Sequence, residues 1–430
     1  MKALLAQIHA AFRNDDAAGV RELLARHPEL KALINEPIAG FDAPAILNVR
    51  SREMLDVLLA AGADINAKSR WWAGGFGLLH SASPELAAYA IARGAVVDVH
   101  AAARLGMLEK LTALVEADSE LVHARGGDGQ TPLHFASTIE IAKYLLDHGA
   151  AIDARDVDHE STPAQWMVRE RQDIARYLIT RGCKSDILMA AALGDLELVR
   201  KHLEADPESI RLCVSDEYFP LIGGKIGGTI YQWTLGWYVS AHQVAKDFGH
   251  EHVLRFLMDR SPDEIKLLTA CWLGEEATAT SLLALKSNLI ARLREADHRQ
   301  LAHAARNNNL TAVRLMLVIG MSVEARSQHN ATPLHWAAFH GNVEMAELIL
   351  RRNPSLEVTD TDFNATPMGW AIHGAENGWQ RETGNYAAVV EALVRAGAKP
   401  PREINGSAEV RQILSQLERP ARIPPFPQSC

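Results

Sequence analysis

Gln130-Thr131-Pro132-Leu133-His134-Phe135-Ala136 returns as Ala331-Thr332-Pro333-Leu334-His335-Trp336-Ala337, with Thr332 lying 201 residues after Thr131. Six periods of about 33 residues make roughly 198, so five intervening units with small insertions fit the spacing. The same phase recurs as Ser161-Thr162-Pro163-Ala164-Gln165 and Ala365-Thr366-Pro367-Met368-Gly369. A second segment repeats in step with it: VLLAAGADINA (57–67), YLLDHGAAIDA (144–154) and ALVRAGAKP (392–400). Each part has a physical role. Thr caps a helix, Pro occupies a first turn where no N–H is needed, and Gly ends the following helix in a left-handed conformation. The expected fold is all-α, a stack of helix pairs without a β-sheet domain.

TPLH-x-A combined with LL-x-x-GA resembles the ankyrin repeat family, in its bacterial multi-repeat form, along nearly the whole chain. The resemblance implies a solenoid of about twelve helix-pair units with short β-hairpin turns, continuous over residues 1–417. Residues 1–36 read as an N-terminal cap, 400–417 as a C-terminal capping helix and 418–430 as a Pro-rich tail. Segments 98–125, 186–212 and 262–295 are compact units that lack the TPLH hairpin. In this family the TPLH histidine is structural and bonds the neighbouring turn, a role that falls to His80, His134 and His335. The family also implies a protein-binding scaffold working through a concave face.

Composition narrows the function classes. The 430 residues are 48% hydrophobic and 23% charged, ordinary for a folded chain with a large interior. A net charge of −9 argues against a nucleic-acid surface and favours a protein partner with a basic patch. No apolar run approaches the roughly 18 residues of a membrane helix. Cys183, Cys213, Cys271 and Cys430 form no C-x-x-C pair, so reduced thiols and a cytoplasmic location are expected, with no zinc site and no metal. GGKIGG lacks GxxxxGK[ST], and no cofactor fingerprint is present.

One stretch interrupts the repeats. Phe219–Ser240, FPLIGGKIGGTIYQWTLGWYVS, sits inside the unit 213–261. Its Gly pairs permit tight turns, and the alternation from Ile230 to Leu235 reads as a strand. The expectation is an aromatic finger folded against the concave face, with Tyr231, Trp233 and Trp237 lining a ligand or partner site. Opposite it, Asp158-His159-Glu160 replaces the usual Asp-Gly tip, one residue longer. That tip reads either as a hydrophilic exposed turn or as a group able to do acid–base work. A pocket between hairpin 156–165 and the finger would suit a small ring-containing or sugar-like ligand, with Gln165 at its edge. Were the chain an enzyme, cofactor-free acid–base chemistry by Asp158, His159, Glu160 or His373 is the expected form.

A second aromatic cluster follows. Trp336 and Trp370 occupy equivalent positions of successive repeats and are expected to stack, with Thr332 and Thr366 starting their helices. Gly369 leaves space beneath Trp370. The insertion AENGWQRETG (375–384) adds Trp379, an indole in a polar segment that core packing does not explain. His329 and Phe363 lie at the two adjoining hairpin tips. His329, Trp336, Trp370 and Trp379 therefore join the candidate binding residues.

Overall fold

In the computed structural model the described residues are 2–223, 227–401 and 405–417; the expected tail 418–430 lies outside them. They form α-helices and short 3-10 turns, with no strand beyond an isolated bridge between Ala39 and Ala43. The expected β-hairpins are therefore tight turns without ladders among the described residues. The chain groups into two compact units, residues 1–239 and 240–430.

The first unit is built from consecutive helix pairs. Representative pairs are Pro132–Phe135 with Ile139–Asp147, Pro163–Met167 with Gln172–Thr180, and Ile187–Leu193 with Leu196–Ala205. The second contains Asp263–Leu273 with Glu276–Leu285, Pro333–Phe339 with Val343–Leu350, and Pro367–Asn377 with Tyr386–Arg395. No helix among the described residues is long and apolar enough to cross a membrane.

The motif explains how each first helix starts. Thr131 N–H donates to His134 Nδ1 at 3.1 Å, and Thr332 N–H to His335 Nδ1 at 3.2 Å. Each ring then presents its other nitrogen to a carbonyl of the next turn, His134 Nε2 to Ser161 O and His335 Nε2 to Ala365 O, both at 3.1 Å. These two histidines join successive repeats, as the resemblance implied. Gln165 takes over the first half of this task, its Oε1 accepting from Thr162 N–H at 2.9 Å. His80 precedes a compact unit with no hairpin turn to meet. Its Nε2 turns instead to the carboxylate of Asp98, 3.1 Å away, the N-cap of Val99–Arg104.

The compact units work through small side chains. In Ile187–Leu193 all seven residues are buried, including three consecutive alanines that let neighbouring backbones approach. Asp186 caps this helix through Met189 N–H at 2.8 Å. Cys183, Cys213 and Cys271 are free and buried. Burial pushes the thiols of Cys183 and Cys271 up to about 12, far from the reactive thiolate range.

Candidate functional site

The 219–240 stretch departs from expectation in secondary structure. Tyr231–Thr234 is a helical turn, not part of a strand. Gly228, at φ +77°, reverses the chain just before it, and Ile230 N–H is captured by Ser161 Oγ at 3.0 Å. The base of the stretch is tied by Val214 N–H to Val239 O (3.0 Å) and Tyr238 N–H to Val214 O (2.7 Å). Gly224 to Ile226 lie outside the described residues.

Its aromatic residues divide by role. Tyr231 is fully buried, with its hydroxyl donating to Asp186 Oδ2 at 3.0 Å and its ring edge-to-face with Phe219. Trp237 is also buried. Both belong to the core, which corrects their assignment to a ligand wall. Gln165 is half-buried beside that cluster, with its Oε1 committed to Thr162 N–H, the start of its own helix. Trp233 alone stays out, 72% exposed, with its indole N–H on Gly227 O at 3.2 Å.

The hairpin tip at 156–161 is equally committed. Asp156 organises it: Oδ1 accepts from His159 N–H at 2.5 Å, while Oδ2 accepts from Ser161 N–H (3.1 Å) and Trp166 Nε1 (2.9 Å). Glu160, left-handed at φ +45°, accepts Ile222 N–H (3.0 Å) and Gly223 N–H (2.8 Å). Gly227 N–H reaches both Asp158 Oδ1 (2.7 Å) and Asp158 O (2.8 Å), and His159 Nδ1 meets Gly228 O at 2.7 Å. Asp158 and His159 are buried, so the exposed hydrophilic turn of the sequence reading does not describe them. These bonds tie the described part of the insertion to the hairpin tip, across the space where a small-ligand pocket was expected. Behind them, burial pushes the Asp128 carboxyl up to about 6. The nearby Asp158 and Asp156 add to that rise, and the neighbouring His159 opposes it.

In the second unit the aromatic residues do leave an opening. Thr332 and Thr366 cap Pro333–Phe339 and Pro367–Asn377, as the repeat phase required. Trp336 and Trp370 are neighbours with ring centres 4.9 Å apart, meeting edge-to-face at 86° rather than stacked. Trp379 supplies the parallel partner, 6.0 Å from Trp336 with planes 26° apart, and sits edge-on to Phe339 at 5.2 Å. The insertion that carries Trp379 is anchored by Asn385 N–H to Gly341 O (2.9 Å) and Tyr386 hydroxyl to Phe339 O (3.1 Å).

These side chains, with His329, Phe363, Gly369 and His373, line a cavity of about 330 Å³. Two of its indole N–H groups are already satisfied. Trp336 donates its indole N–H to Ser327 Oγ at 3.0 Å and Trp370 to Asp360 Oδ2 at 2.8 Å. His329, at φ +62°, pairs with Asp362 Oδ2 at 2.5 Å, which pulls the Asp362 carboxyl below its ordinary value. Arg306 lies 5.5 Å from the Trp336 ring centre and 5.2 Å from that of Trp379. His373 is an exposed wall residue, parallel to Phe339 at 6.5 Å, and no nucleophile or carboxylate joins it in the cavity lining. Sequence reasoning found His329, Trp336, Trp370 and Trp379 but missed Phe339 as a wall. Only its place three residues after Trp336, on the same helical face, signalled it.

The family model described as ankyrin repeats (three copies) matches residues 99–188, 267–362 and 301–403. Together these stretches span more than half of the 430 residues, and the 219–240 insertion falls between them.

Proposed function

Because this chain belongs to the ankyrin repeat family, whose repeats generally act as protein–protein interaction scaffolds, we propose that it binds a protein partner by anchoring one bulky apolar side chain in the cavity of residues 329–379. One observation carries the reading: an apolar cavity flanked by two large aromatic rings left in water, Phe363 at 67% and Trp379 at 59% exposure. Covering a large apolar side chain stabilises by roughly 1.5–3 kcal/mol, so two such rings and an inserted side chain make an energetic centre for an interface. The cavity volume stands at the small end of ligand pockets and suits one Trp, Phe or Leu. The net charge of −9 favours a partner basic around that anchor.

A random peptide library displayed on phage tests this, selected on the wild-type chain and counter-selected on Gly369→Leu. Gly369 lines the cavity, and an added Cβ meets nothing closer than Ala365 Cβ at 3.2 Å, so leucine fills the space once Ala365 gives by a few tenths of an ångström. The expected outcome is a peptide family sharing one Trp, Phe or Leu that binds wild type and not the variant. Peptides that bind both proteins equally would overturn the reading.

A further inference from the structure

Three side chains converge at the tips of two successive turns in the first unit. Asp128, Asp158 and His159 are 7%, 5% and 8% exposed, and one ligand atom from each lies within 4.8 Å of the others. The partner of His159 Nδ1 is the carbonyl of Gly228, which can only accept, so Nδ1 carries the hydrogen. In the neutral ring Nε2 is then a bare lone pair. It faces Asp128 Oδ2 and Asp158 Oδ2, each 3.9 Å away, beyond hydrogen-bond reach. Asp158 spends its other oxygen on Gly227 N–H, while Asp128 Oδ1 is buried without a hydrogen-bond partner. The Trp71 indole is close enough to pull the Asp128 carboxyl down a little, but its N–H completes no hydrogen bond. Among the described residues no lysine or arginine pairs with either carboxylate. Among the described residues, three acceptors thus meet in a buried site that no cationic side chain enters.

The second unit repeats this construction with the charges balanced. Asp360 holds its turn as Asp156 does, and both accept an indole N–H ten residues on, from Trp370 and Trp166 respectively. His329 stands where Asp128 stands, each left-handed at its turn, at φ +62° and +54°. There the histidine bonds Asp362 directly. The first unit has aspartate in both places and a histidine at position 159, where the second has Phe363. A nearby His80–Asp98–His100 group is saturated by contrast. Lys68 Nζ (2.9 Å), Ala101 N–H (2.9 Å) and His80 take the Asp98 oxygens, and His100 bonds Ala124 O at 3.0 Å.

We propose that Asp128, Asp158 and His159 bind a divalent first-row transition ion, zinc before others, which clasps the 127–129 turn to the 156–161 turn. Two carboxylates neutralise the ion, and one imidazole with its far nitrogen fixed by a backbone carbonyl is the usual form of a histidine ligand. Zinc bonds of about 2.1 Å at a tetrahedral angle span about 3.4 Å, so each carboxylate needs to close on His159 by about half an ångström, and the two carboxylates on each other by at most about 1.4 Å. A fourth position would be filled by water. The sequence conceals this site because its ligands stand about thirty residues apart in different repeats, outside any ligand-spacing motif.

The test uses the full chain purified without a metal-affinity tag, measured for metal content and melted with and without EDTA and added ZnCl2. About one zinc per chain is expected, with Tm lowered by EDTA and restored by zinc, a shift of at least about 3 °C. Asp158→Asn and Asp128→Asn should lose both the bound zinc and the shift. Asparagine keeps the left-handed turn at position 128 accessible. Absence of zinc after incubation and dialysis, a Tm indifferent to EDTA, or equal zinc in the folded variants would overturn the proposal. The wild-type measurements decide the matter even if a variant fails to fold.

Discussion

Lowering the pH should unfasten the repeats through their buried histidines, and His134 shows how much. Its Nδ1 accepts from Thr131 N–H while Nε2 serves Ser161 O, so protonation would cost the first bond and place a charge in the core. Burial depresses its pKa to about 3, from an ordinary value of 6.5. In this window the unfolded chain binds the proton that the folded chain refuses. The histidine's contribution is therefore fully present above about pH 6.5 and is lost as pH falls toward 3. At pH 5 the gap is about 1.5 units below the unfolded value, or about 2 kcal/mol. Gln165 already plays the equivalent part in the next repeat, so His134→Gln is the substitution to make. At pH 7.5 the variant should lose about 0.5–1.5 kcal/mol. Between pH 7.5 and 5.0 it should then lose about 2 kcal/mol less than wild type, the other histidines being common to both. Urea unfolding followed by circular dichroism at each pH measures this. Parallel pH dependences for the two proteins would refute the reasoning.

Tyr231→Phe should destabilise the first unit by about 1–3 kcal/mol, read from its urea midpoint, because the half-buried Asp186 carboxylate loses a donor. Gly374→Ala should lower Tm: the new Cβ would stand 2.6 Å from Phe339 O and 2.8 Å from the Tyr386 ring, overpacking worth about 1–3 kcal/mol. Trp233→Ala should leave Tm within about 1 °C of wild type, since the side chain is mostly in water.

The repeat frame was legible because capping is local chemistry. Thr131 and His134, like Thr332 and His335, lie three residues apart and satisfy each other whatever surrounds them. The cavity was partly legible as well. Trp379 in a polar insertion and Gly369 beneath Trp370 were both out of place in an ordinary repeat. The 219–240 stretch misled because alternation implies a strand only where a sheet edge waits. Among the described residues no such edge exists, and Ser161 Oγ, Asp158 and Glu160 take the backbone donors instead. The burial of Tyr231 was equally hidden, since its partner Asp186 lies 45 residues earlier at the start of a compact unit.

The most direct test of the aromatic cavity as the partner site is calorimetric. The tightest peptide from the library would be titrated into wild type, Gly369→Leu and Trp233→Ala. Filling the cavity should weaken binding at least about 30-fold, the loss expected of a central anchor, while Trp233→Ala stays within about twofold of wild type. Undiminished affinity for Gly369→Leu, with binding lost in Trp233→Ala, would contradict the account and place the partner on the 219–240 insertion.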